Sequence, residues 1–181
     1  MKRFLIILSI LALVFCAADS FAKKKLNWTR CKLSQIDFDD GDSFKCRGKA
    51  IRVLGIDTPE IAHPKHGIAK DQPYGKNAAA FTKKLLTKAK RVVIIRGGPV
   101  KERSSHGVNK DKYGRTLAHV LVDGELLGVM LIKARLAYET VSHFGDNGMP
   151  EYAMAIKEAA KTSPKPKFQK PWLWRKKNRK K

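Results

Sequence analysis

Short apolar runs, broken by glycine, aspartate and lysine, open the readable part of the chain between Trp28 and Ile56. Their length and β-branched or aromatic content predict three strands: Arg30 to Asp37, Ser43 to Cys46, and Ala50 to Ile56. They turn at Asp40-Gly41 and at Arg47-Gly48-Lys49, which makes a meander. The period then changes. Ala78, Phe81, Leu85, Leu86 and Ala89 recur at helical spacing, with Lys83, Lys84 and Lys88 on the opposite side, so a helix is expected to pack on the sheet. Arg91 to Ile95 reads as a fourth strand ended by Gly97-Gly98-Pro99, and Arg115 to Val122 as a fifth ended by Asp123-Gly124. A second helix is predicted from about Leu127 to Ala134. A third starts at about Pro150, where Tyr152, Ala155, Ile156, Ala159 and Ala160 form one apolar stripe. The polar stretches 61–73 and 98–110 read as surface loops, the first of them mobile. Five short strands with helices inserted and appended predict an α+β fold, a small barrel on helices.

The ends of the chain follow different rules. Met1-Lys2-Arg3, the apolar run Phe4 to Ala18 and the small residues Ser20 and Ala22 predict a signal peptide over 1–22 with cleavage after Ala22. The run falls short of the ~20 residues that span a bilayer, so no stable membrane anchor is expected after cleavage, and the destination is secreted or periplasmic. Residues 23–162 then form one domain. The segment 163–181 reads as a basic C-terminal tail, because ten Lys and Arg and no acid lie between Lys161 and Lys181. There is no internal repeat and no oligomer signal, so a monomer is expected.

Charge narrows the partner. A formal net charge of +22 over 181 residues supplies sequence-independent attraction to a polyanion. Export would leave Cys31 and Cys46 where disulfides persist. With Asp40-Gly41 as a two-residue turn, however, Cys46 would lie opposite Gln35, roughly 13 Å along the strand from Cys31. A bridge needs Cα atoms within ~7 Å, so only a bulge or sharp bend permits pairing.

Candidate chemistry concentrates in short marked stretches. Asp42 begins the second strand and Asp57 ends the third, so a hairpin turning near Gly48 makes their carboxylates neighbours at one sheet edge. Oxygen ligands of this kind suit Ca²⁺ or Mg²⁺ better than zinc. Asp39, Asp40 and Asp42 could equally form a polar turn, but Thr58-Pro59-Glu60 adds a stiffened segment and a third carboxylate. Arg52 and Arg115 offer planar forks for phosphate, although a strand arginine is commonly a solvated surface group. Arg52 and Asp57 are an odd number apart, so a flat strand would point them to opposite faces, and a bend is needed if both serve one site. His63-x-x-His66 lacks acid or cysteine partners at ligand spacing, and Trp172 and Trp174 could stack on bases or dock the tail.

Several stretches together resemble the staphylococcal nuclease (thermonuclease) family: Asp40-Gly41-Asp42-Ser43, the run Arg52 to Glu60, Tyr74-Gly75 leading to Ala80-Phe81-Thr82-Lys83-Lys84, and Asp111-Lys112-Tyr113-Gly114-Arg115 with Leu117-Ala118 and Asp123-Gly124. The resemblance covers most of residues 30–140. It implies a five-stranded OB-type β-barrel with three α-helices and a Ca²⁺-dependent phosphodiesterase that acts on DNA and RNA, leaving 3′-phosphate and 5′-hydroxyl ends. By the same resemblance Asp42, Asp57 and the carbonyl of Thr58 would hold Ca²⁺, and Glu60 would orient or deprotonate water. Arg52 and Arg115 would neutralise the phosphate, and Lys112 and Tyr113 would line the nucleotide pocket. The chain departs from the family at Ser43, where Thr is usual, at Gly128, where Asn is common, and at Arg135, where Gly is common. The alternative is an exported OB-type module that binds nucleic acid or other polyanions without catalysis. Charge and tail fit both readings; the five chemical residues fit the enzyme.

Overall fold

The computed structural model describes residues 28–64, 67–97 and 109–178. The predicted signal peptide, His66, His106 and most of the second loop lie outside them. Strands β1 (Trp28–Cys31), β2 (Ile36–Phe38), β3 (Ser43–Cys46), β4 (Lys49–Val53), β6 (Val92–Arg96) and β7 (Thr116–Val122) form one sheet in the order β1-β6-β7-β4-β3-β2. A short β8 (Glu125–Leu126) pairs with β7, while β5 (Ile56–Asp57) pairs separately with β9 (Tyr138–Glu139). Helices are α1 (Gly75–Lys88), α2 (Leu127–Lys133), α3 (Val141–Phe144), α4 (Pro150–Thr162) and α5 (Pro171–Asn178).

The sheet closes because its two edges are one stretch of chain. β1 pairs with β6 at one end of the strand order and β2 pairs with β3 at the other, and a 3-10 turn over Leu33–Gln35 joins them. The single first strand read from the sequence is thus bent in two, and the result is an OB-type barrel. The bend answers the cysteine question. The actual register sets Ile36 against Cys46, and the turn swings Cys31 back until its Cα lies 6.1 Å from that of Cys46, with a disulfide between them. The third predicted strand is also broken: Leu54-Gly55 separates β4 from β5, and Gly55 takes φ +78°, a conformation that costs a residue with a Cβ energy. Between β3 and β4, Arg47 and Gly48 both take positive φ, as a two-residue hairpin of matching twist requires.

The core fills the barrel and the seam beneath it. Phe44, Val53, Ile56, Leu86, Val120, Leu127, Leu131 and Ile156 are all almost wholly buried, which joins β3, β4, β5, β7 and helices α1, α2 and α4 in one cluster. Gly128 lets α2 approach α4, since a Cβ there would stand 3.3 Å from Ile156. Arg135 occupies the left-handed position that ends α2, with its N–H donating to Ile132 and that of Leu136 to Leu131. An arginine there costs about 1 kcal/mol relative to glycine. Within the described parts of the stretch 61–73, the Ala62 N–H donates to Asp71 (2.8 Å), His63 and Ile68 form a bridge, and Gln72 is buried.

The segment read as a basic tail folds back onto the domain. Phe168, Pro171 and Trp174 are buried, Tyr138 donates its hydroxyl to the Phe168 carbonyl (2.8 Å), and Gln72 donates to that of Gln169 (2.6 Å). Its aromatic residues, interleaved with lysines, lack a helical stripe long enough to be read as one. Of the two tryptophans, Trp174 is buried, while Trp172 stays partly exposed with its ring edge-on to Tyr138 (6.0 Å between centres).

Closing a loop of this length by a disulfide lowers unfolded-state entropy by about 3 kcal/mol. Replacing Cys31 and Cys46 together by Ala should lower unfolding free energy by about that amount in a urea titration, with secondary structure retained by circular dichroism.

Candidate functional site

The site is built where β3 begins and β5 ends. Ser43 faces Arg52 across the β3–β4 ladder, so Asp42, one residue earlier, sits at the end of the pair. Asp42 is fully buried. One of its oxygens accepts the N–H of Thr58 (2.8 Å); the other accepts the Ser43 hydroxyl (3.1 Å) and the Arg52 guanidinium. The same guanidinium donates to Asp57 (2.6 Å) and reaches the Ile56 carbonyl at 3.4 Å. Arg52 therefore bridges the two carboxylates. The bend at Leu54-Gly55 makes this possible, because it removes the alternation that would have pointed Arg52 and Asp57 to opposite faces.

Helix α1 supports this edge from behind. Thr82 donates its hydroxyl to the Gly41 carbonyl (2.6 Å), and a Cβ on Gly41 would stand only 2.8 Å from Ala78 and from the Thr58 hydroxyl. Glu60 is tied to the loop before the helix: its N–H donates to the Gln72 side chain (3.3 Å) and its carbonyl accepts the Gln72 N–H (2.8 Å). Burial pushes the Glu60 carboxyl above its usual range, while the Arg175 charge opposes that shift.

Arg115 enters from the turn before β7. Asp111 accepts the backbone N–H groups of Tyr113 and Arg115, shaping the turn, and its other oxygen accepts the Arg115 Nε at 2.7 Å. Arg115 also donates to the Ser43 hydroxyl (3.2 Å), so Ser43 touches both Asp42 and an arginine. Tyr113 is exposed and lies between the Lys112 ammonium (5.1 Å from the ring centre) and the Arg115 guanidinium (5.4 Å).

Two residues read from the sequence only as part of a polar turn, Asp40, and of a basic tail, Arg175, join the site. Asp40 accepts the Asp42 N–H at 3.0 Å, and burial raises its pKa against the pull of Arg52 and Arg115; its place in the same turn was the available signal. Arg175, on α5, donates to both oxygens of Asp57 (3.2 and 2.8 Å) and to Glu60. One arginine in a basic run gave no hint of this. Of the histidines, His119 is buried against Tyr152 (ring centres 5.2 Å), and burial pushes its pKa down to about 4, so it serves as a neutral packing group at pH 7.

Among the described residues, no group of three or more His, Cys, Asp and Glu is arranged to hold a metal ion. The donors that do gather are oxygens: the buried carboxylates of Asp42 and Asp57, with Thr58 adjoining. That chemistry fits a hard cation, and the position already demands positive charge, which Arg52 and Arg175 meet.

The sequence model of the family described as staphylococcal nuclease homologue matches residues 50–167. The chain belongs to that family. A thermonuclease of Staphylococcus intermedius is 35% identical over 130 residues, covering 70% of this chain and 67% of the relative. Endonuclease YncB of Bacillus subtilis is 36% identical over 117 residues, 59% of this chain and 50% of the relative. A thermonuclease of Staphylococcus hyicus is 40% identical over 87 residues, 48% of this chain and 44% of the relative. The chain thus spans between about two fifths and two thirds of the length of these relatives. Within this nuclease homologue, Arg52, Asp57, Glu60 and Arg115 fall inside the matched residues, whereas Asp42 precedes them and α5 follows them.

Gly75 opens α1 directly beneath Glu60: a Cβ there would come within 2.2 Å of the Glu60 carbonyl oxygen, a backbone atom that cannot rotate away. Gly75→Ala should therefore displace the Glu60 segment and cost about 1 to 3 kcal/mol in a thermal or urea melt. An unchanged stability would show that α1 does not set the position of Glu60.

Proposed function

We propose that the chain is an exported, monomeric, Ca²⁺-dependent nuclease that hydrolyses phosphodiester bonds of DNA and RNA, leaving 3′-phosphate and 5′-hydroxyl ends. Nuclease chemistry as such follows from its family. The observation that carries the finer reading is the Arg52 bridge between Asp42 and Asp57, with Glu60 and Arg115 at the same barrel edge.

In this reading Asp42, Asp57 and the Thr58 carbonyl would hold the cation, whose charge would offset that of the phosphate. Glu60 takes the proton of the attacking water. Its burial favours this, because a carboxylate with a raised pKa is a better base near neutral pH. Arg52 and Arg115 present planar forks to the phosphate as charge accumulates on its oxygens, and the 5′ oxygen leaves. Lys112 and Tyr113, exposed at the turn beside Arg115, offer a cation and a ring to the nucleotide. The remaining Lys and Arg excess supplies non-specific affinity for either nucleic acid.

Asp42→Asn and Asp57→Asn keep the side-chain shape and remove the charge. Each should abolish Ca²⁺ binding by calorimetry and lower cleavage of both DNA and RNA by about 10²-fold or more, as loss of one electrostatic stabiliser commonly does. Arg52→Lys and Arg115→Lys should slow turnover to a similar degree while nucleic-acid affinity stays within a few-fold. Full cleavage in excess chelator contradicts the calcium dependence, and tight binding without cleavage returns the chain to the polyanion-binding alternative.

A further inference from the structure

Helix α5 lies beyond the residues matched by the family model, yet it delivers a guanidinium onto two of the carboxylates just described. Arg175 occupies both oxygens of Asp57 and one oxygen of Glu60. Its position is fixed by the helix as well as by charge. The neighbouring Trp174 is buried, Phe168 stacks edge-on against Tyr138 (5.4 Å), and Tyr138 is the ladder partner of Asp57. The strand pair that holds Asp57 is therefore the one on which the C-terminal segment docks.

A carboxylate that already accepts from two guanidiniums has little capacity left for a third cation. One oxygen of Asp57 already accepts from Arg52 and Arg175, and the other accepts from Arg175. A metal ion that takes Asp57 as a ligand must first loosen Arg175. Glu60, while it accepts from Arg175, has its charge neutralised and is a poorer base. A guanidinium does not shed its proton, so raising the pH does not release it. A competing cation or phosphate can.

We propose that Arg175 is a tethered counter-ion: it holds Asp57 and Glu60 until a divalent cation displaces it, so that docking of α5 sets the cation concentration at which the site becomes active. This rests on the assignment of Asp42 and Asp57 as calcium ligands. It also gives the basic C-terminal segment a specific task beyond attraction to nucleic acid.

The test is calorimetric titration of the full chain with CaCl₂, in the absence of nucleic acid, for the wild type, Arg175→Gln and Arg175→Lys, each checked by thermal melt. Arg175→Gln should bind Ca²⁺ at least about tenfold more tightly, the factor corresponding to loss of one charge-assisted hydrogen bond. Arg175→Lys, which keeps the charge and loses the fork, should fall between the two. The calcium concentration for half-maximal cleavage should shift in the same order. Equal or weaker Ca²⁺ binding by Arg175→Gln overturns the counter-ion role and leaves the metal assignment standing. No Ca²⁺ binding by any of the three proteins overturns both. Should Arg175→Gln fail to fold, the lysine variant decides alone: an affinity no tighter than wild type refutes the proposal.

Discussion

Asp42 places a carboxylate where water does not reach, and the surrounding fold is the set of groups that answer it. An ion left unpaired in such a position costs several kcal/mol. Three donors prevent that: the Thr58 N–H, the Ser43 hydroxyl and the Arg52 guanidinium. They come from the turn after β5, the first residue of β3 and the middle of β4. A single buried group thus fixes three segments that lie apart in sequence.

The remainder of the site follows from those attachments. Once Arg52 is committed to Asp42, its other nitrogen reaches Asp57, and the chain must bend at Leu54-Gly55 for the carboxylate to meet it. Thr58 is held close, which brings Glu60 over the start of α1, where only glycine fits at position 75. Ser43 passes the same order to Arg115. The outcome is an edge rich in acids, and α5 adds the cation Arg175 to it. In physical terms Arg52 and Arg175 supply the positive charge that the buried carboxylates demand.

What could be read in advance was whatever local chemistry encodes. Glycine turns and short apolar runs located the strands, and helical spacing located α1 and α4, because each signal spans only a few neighbouring residues. Asp42, Arg52, Asp57, Glu60 and Arg115 stood out through residue type and spacing, and the structure brings all of them to one edge. Three features were hidden for one shared reason: they depend on where distant segments meet. The Cys31–Cys46 pairing required a 3-10 turn that splits one apparent strand between two sheet edges. The Arg52–Asp57 contact required a bend whose only trace was Gly55. Arg175 required α5 to dock through Trp174 and Phe168, while its composition looked like that of a solvated tail.

The buried Asp42–Arg52 pair organises this edge of the barrel. A double-mutant cycle on unfolding free energy with Asp42→Asn, Arg52→Gln and the double variant tests it most directly, since the cycle cancels what each side chain does with other partners. The expected result is a favourable coupling of about 1.5 to 3 kcal/mol, the range for hydrogen bonds to charged groups. A coupling within about 0.5 kcal/mol of zero, the ordinary error of additivity, would contradict it.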